Sequence, residues 1–166
     1  MAQIPDVRSL AGILLPLARE RGATIATAES CTGGLIAAAI TDEAGSSAIF
    51  DRGFVTYSNI AKQDMLGVRE QTLTEHGAVS ERVAAEMAEG ALMRSKATLA
   101  VSVTGIAGPG GSDNKPEGRV WFGLACQGTV HTEMLEFGPL GRAGVRAATR
   151  DHALRLLIAA LDQRLP

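Results

Sequence analysis

Short apolar runs that read as buried strands alternate along this chain with segments whose apolar residues recur at helical spacing, and that alternation leaves few folds open. Ser9 precedes Leu10, Ile13, Leu14 and Leu17, a cap ahead of a helical stripe, with Gly22 to end it. Residues 24–28 read as a buried strand, 29–34 as a turn and 35–41 as an Ala-rich helix. A second strand is expected over about 51–57, then a helix capped by Asn59 and stopped by Gly67. Ser80 caps the next helix, with Glu81 in its first turn and Ala84, Met87, Ala88, Ala91 and Leu92 on one apolar face. Residues 98–103 form a strongly apolar strand, followed by a long Gly/Pro/Asp/Asn loop over 105–118. Strands at 119–126 and 130–137 are joined as a hairpin through 127–129. A final helix over about 142–163 turns Val145, Ala148, Leu156 and Ala160 inward. Early alternation and a late hairpin predict a three-layer α/β/α domain with a mixed, mostly parallel five-stranded sheet that includes an antiparallel member. With no repeat and no linker, one domain is expected over 1–166.

Composition narrows the function classes. Aromatics are only 4% of the chain, so Ala, Val, Leu and Ile must build the core and little is left to stack bases. A net charge of −2, with no block of Lys or Arg, argues against nucleic-acid and membrane-surface partners. Apolar runs such as 35–40 are too short to span a bilayer. The two cysteines, Cys31 and Cys126, make neither a disulfide framework nor a CxxC motif, which suits a reducing compartment. Residues 1–6 lack the profile of a secretory signal, so the expected location is the cytoplasm.

In open α/β sheets ligands bind beyond the carboxyl ends of the strands. Three such ends carry Glu29-Ser30-Cys31-Thr32-Gly33-Gly34, Tyr57-Ser58-Asn59-Ile60-Ala61-Lys62 and Thr104-Gly105-Ile106-Ala107-Gly108-Pro109-Gly110-Gly111. If their strands are parallel neighbours, the three segments converge on one crevice. A hydroxyl in the first segment faces free N–H groups and the positive end of a helix dipole, donors that suit a developing oxyanion. Spacing alone favours the plainer reading, in which Ser30 or Thr32 simply caps the helix. Cys31 is a rival nucleophile, since helix N-termini favour thiolates, although His76, His131 and His152 all sit in unrelated surroundings.

A serine nucleophile needs a base, and Lys62 falls about one helical turn after Asn59, where its amine can lean back over the strand end near Tyr57. A free lysine has a pKa of about 10.4, so work near neutrality asks for a downward shift of about three units, or roughly 4 kcal/mol. The bland alternatives are a solvated lysine and a half-buried strand tyrosine. The glycine-rich third segment can bring backbone N–H groups to an anion, or be an ordinary loop; it matches neither a P-loop nor GxGxxG. Arg142, Arg146 and Arg150 open the last helix against its dipole preference, which a bound anion or a solvated charge stripe would explain. Scattered histidines and distant cysteines offer no metal-ligand spacing.

Those segments, with His76-Gly77-Ala78-Val79-Ser80, resemble the CinA C-terminal domain family, in matching order over nearly the whole chain. The family includes stand-alone nicotinamide-nucleotide amidohydrolases, and the chain looks like that single-domain form. The resemblance implies an α/β/α fold like that of anticodon-binding domains, no cofactor and commonly a homodimer. It implies hydrolysis of the carboxamide of nicotinamide mononucleotide (NMN) to nicotinate mononucleotide and ammonia. Ser30 would be the nucleophile and Lys62 the base, acting through Tyr57. Cys31, Thr32, Gly33 and Gly34 would surround the oxyanion. Asn59, Thr104, Gly105, Gly108, Gly110 and Gly111 would line the substrate, and Arg146, or Arg142 in its place, would hold the phosphate. Ile60 departs from the acidic residue common at its position. Two alternatives stay open: an amidase for another nucleotide amide, and a non-catalytic binding domain linked to competence or damage responses.

Overall fold

The computed structural model describes residues 9–163, so the expectation made for residues 1–6 lies outside them. In chain order the elements are α1 (Leu10–Glu20), β1 (Ile25–Glu29), α2 (Leu35–Thr41), β2 (Phe50–Val55), α3 (Asn59–Leu66), α4 (Glu70–His76), α5 (Glu81–Met93), β3 (Leu99–Gly105), β4 (Arg119–Cys126), β5 (Thr129–Glu136) and α6 (Gly141–Leu161). The strands form one sheet in the order β2-β1-β3-β4-β5. β1 pairs parallel with both β2 and β3, while β4 runs antiparallel to β3 and β5 and is the reversed member. The expected α/β class and mixed sheet are therefore what the chain builds.

The alternation of side chains along β1 sorts the two cores. Ile25 joins Leu14, Ile36, Val101, Phe122 and Leu157 beneath α1, α2 and α6. Ala26 and Ala28 face the other way, against Leu66, Met87 and Ala88 of α3 and α5. Small residues on that second face let α5 lie close to the sheet. Gly90 carries the same logic to the contact with α3, because a Cβ there would sit 2.0 Å from the Leu66 carbonyl oxygen. The packing of α5 thus fixes α3, and with it Lys62.

Several boundaries differ from expectation for local reasons. Ser58, not Asn59, caps α3, its Oγ accepting the Ala61 N–H at 3.1 Å; both residue types cap well, so adjacent candidates compete. α4 escapes a periodicity reading because it is seven residues long and buries only Thr72 and Leu73. β2 ends at Val55, leaving Tyr57 in the connection to α3 rather than in the strand. The hairpin loop is just Gln127 and Gly128, both at positive φ, so Thr129 joins β5. On α6, Val145 and Leu156 are buried while Ala148 and Ala160 are half-buried, and Thr149, Ala153, Leu154, Leu157 and Leu161 complete the inner face.

Candidate active site

Ser30 directly follows β1, and its backbone N–H donates to the Val103 carbonyl at 3.1 Å, extending the ladder one residue past the strand. The chain then turns through 31–34, with Gly33 at φ 58 and Gly34 at φ 103, backbone that favours glycine. Gly34 stands at the N-cap of α2 without a side chain to cap it. The cap comes from the fully buried carboxylate of Glu29, whose Oε1 accepts the Thr32 hydroxyl at 2.7 Å and the Ile36 N–H at 2.9 Å. Its Oε2 accepts the Ala37 N–H at 3.0 Å. Neither Ser30 nor Thr32 caps the helix, and the Ser30 hydroxyl is left for the cleft.

Lys62 enters from the first turn of α3 and is only 2% exposed. Its Nζ lies 2.9 Å from Ser30 Oγ and donates to the Thr56 carbonyl at 2.8 Å. Thr56 is itself pinned, its N–H donating to the Glu29 carbonyl at 2.9 Å. Burial pulls the Lys62 amine from its ordinary 10.5 down to about 8. No ion pair to Lys62 exists among the described residues. A neutral amine there can use one N–H on Thr56 and turn its lone pair to the serine. Cys31, 5% exposed, is the opposite case: burial pushes its thiol up to about 12. A thiol raised that far stays protonated near neutrality.

A cleft of about 310 Å³ opens above this pair. Ser30, Cys31, Lys62, Tyr57 and Asn59 line one side of it. Thr104, Gly105, Gly108, Gly110 and Gly111 line the other, with Arg142 at the mouth. Thr32, Gly33, Gly34 and Arg146 lie outside the lining. Arg146 instead reaches under the turn, donating to the Cys31 carbonyl at 3.1 Å and the Thr32 carbonyl at 3.0 Å. Arg142 spans the rim, donating to the Gly108 carbonyl at 2.8 Å and to the Tyr57 hydroxyl. Tyr57 is 61% exposed, and Lys62 reaches Ser30 with no tyrosine between them. The geometry therefore offers a direct proton path where the resemblance implied one through Tyr57, and it puts Arg142, not Arg146, in the cleft.

The CinA C-terminal domain model matches residues 7–161. The chain belongs to the CinA C-terminal domain family. It is 66% identical over 140 residues to the nicotinamide-nucleotide amidohydrolase PncC of Escherichia coli K12, covering 84% of this chain and 85% of that protein. A CinA-like protein of Chlorobium phaeobacteroides is 51% identical over an alignment of 158 positions that covers 92% of this chain and 38% of that longer relative. Among solved structures, the competence/damage inducible protein CihA of Agrobacterium tumefaciens superposes with a TM-score of 0.89 at 52% identity, covering 98% of this chain and 99% of that one.

Two features of this CinA domain were not singled out from sequence. Glu29 sits inside the quoted motif, but its capping role needs the fold to bring α2 back over it. Glu117, in the long loop, accepts the Gly110 N–H at 2.6 Å and the Gly141 N–H at 2.9 Å, tying the glycine-rich wall to the start of α6. Among the described residues no cluster of three or more His, Cys, Asp or Glu is arranged to hold a metal ion. None of the described helices is long and apolar enough to cross a membrane.

Proposed function

We propose that the chain hydrolyses the carboxamide of NMN, giving nicotinate mononucleotide and ammonia, with Ser30 as nucleophile and Lys62 as general base. The observation that carries this reading is the 2.9 Å contact between the serine hydroxyl and a desolvated lysine amine. A buried lysine without a counter-charge lowers stability. A binding module has no use for that cost, whereas a base working near neutrality requires it. The activity of the PncC relative names the substrate class.

The reaction then runs in two halves. Lys62 takes the Ser30 proton as Oγ attacks the amide carbon, and the oxyanion is stabilised by backbone N–H groups that line the cleft, that of Cys31 being the one the 31–34 turn supplies. The Lys62 ammonium returns the proton to the departing nitrogen and ammonia leaves. Water, deprotonated by the same amine, resolves the acyl-enzyme to the carboxylate. At the mouth, Arg142 and the backbone of 105–111 hold the ribose phosphate, supplying positioning energy remote from the scissile bond. Tyr57 shapes the rim with Arg142. The setting proposed with this chemistry is the cytoplasm, with no cofactor and a homodimer as the working form.

Ammonia release from NMN by the purified protein tests the reading, with nicotinamide and nicotinamide riboside as phosphate-free comparators. Turnover of NMN that vanishes in Ser30→Ala supports it. Turnover surviving in Ser30→Ala and lost in Cys31→Ala would show that the nucleophile is wrong.

A further inference from the structure

We infer that Glu29 is a positioning residue for the nucleophile: its buried carboxylate, through Thr32 and the first turn of α2, holds the Ser30 turn in the shape that keeps Oγ on the Lys62 amine. The inference rests on the serine–lysine reading above and concerns how the pair is kept in register. The usual way to start a helix is a short polar side chain at the N-cap itself. Here that position is Gly34, and the capping group comes from the strand residue bonded directly to the nucleophile.

Three donors fix the carboxylate: one hydroxyl and two backbone N–H groups. The Glu29 backbone is held on both sides as well, paired in the ladder with Val55 of β2 and Val103 of β3. Its carbonyl also accepts the N–H of Thr56, whose own carbonyl takes the Lys62 amine. One residue therefore touches both halves of the pair. Its side chain sets the serine turn, and its main chain sets the residue that orients the lysine. Arg146 completes the brace by holding the carbonyls of Cys31 and Thr32. Glu29 itself makes no contact with the Ser30 hydroxyl, so it acts through the turn and not on the proton.

Glu29→Gln is the sharp variant. It keeps the volume and replaces one acceptor oxygen with a donor, so at least one of the three donors faces another donor whichever way the amide is turned. Thr32→Val removes only the hydroxyl, and Thr32→Ser restores it. Displacing reacting groups by about an ångström costs on the order of a hundredfold. The expected result is a fall of about 10- to 100-fold in kcat for Glu29→Gln and Thr32→Val, with KM for NMN changed less than about twofold and Thr32→Ser restoring most of the rate.

A second readout is the rate at which a fluorophosphonate probe labels Ser30, which does not depend on the substrate. It should fall in parallel with kcat. A protein that labels at Ser30 but leaves NMN intact refutes the substrate assignment, and the labelling rates of the variants then decide the role of Glu29. Folded Glu29→Gln or Thr32→Val proteins with lowered melting temperature but wild-type kcat and labelling rate would reduce Glu29 to a helix cap and overturn the inference. A wild-type protein inert to both probe and NMN would overturn the nucleophile reading and this inference together.

Discussion

The floor and the rim of the cleft are built in opposite ways. On the floor, Ser30, Lys62 and Glu29 hang from strand ends and a helix start, and their polar contacts end on backbone or on buried and half-buried side chains. At the rim, Tyr57, Asn59 and Arg142 are exposed, and the facing wall is a glycine-rich loop tied down by Glu117 and Arg142. Low dielectric and fixed geometry on the floor suit the proposed proton transfer, which tolerates little displacement. Solvated side chains and loop backbone at the rim suit recognition of a charged, hydrated group. Chemistry below and recognition above should therefore respond differently to mutation: kcat at the floor, KM at the rim.

The largest expected effect comes from Lys62→Met. Deamidation should fall by about 10³-fold or more, the order seen when a catalytic base is removed. Stability should move the other way. The unfolded amine ionises near 10.5 and the folded one near 8, so between those values the unfolded chain binds more protons and wild-type stability rises with pH. Below about 8 the penalty stands in full, on the order of 3 kcal/mol. Chemical denaturation should accordingly find Lys62→Met gaining more over wild type at pH 7 than at pH 10. In the wild type, kcat/KM should drop about tenfold per pH unit below about 8, as the amine gains its proton. A dead variant with no such pH-dependent gain would remove the distinction between floor and rim.

Next in size is Arg142→Ala. Initial-rate kinetics should show KM for NMN raised about 10- to 100-fold, with kcat within a few-fold of wild type. An equal loss in kcat would move this arginine from the rim to the chemistry. Tyr57→Phe follows, with less than about a fivefold loss in kcat; an obligatory relay through its hydroxyl would cost on the order of a hundredfold or more. Cys31→Ala should change least, under about threefold, because a thiol held up at about 12 contributes no thiolate.

The same contrast explains what could be read in the sequence. Strand positions and several helix starts were legible because periodicity and caps are local: Ser9, Ser80 and the 35–41 helix stand where their neighbours dictate. Ser30 and Lys62 were legible as separate strand-end residues, and the parallel pairing of β1 with β2 brings them together. Glu29 was not legible, because a carboxylate at a strand end looks solvent-bound until α2 folds back over it. Arg142 and Arg146 lie one helical turn apart on a single stripe, so sequence names the stripe. Which arginine meets the cleft depends on how deeply α6 packs, and Arg146 falls beneath the turn. Tyr57 was misread as a strand residue because β2 stops two residues earlier.

Rapid quenching during NMN turnover, followed by fragmentation of the peptide that carries both Ser30 and Cys31, locates the acyl group on one side chain or the other. The expected result is an ester of the nicotinate mononucleotide carboxyl group, ribose phosphate still attached, on the Ser30 oxygen, which accumulates in the wild type and is absent from Lys62→Met. A thioester on Cys31 would contradict the assignment of a lysine-activated serine.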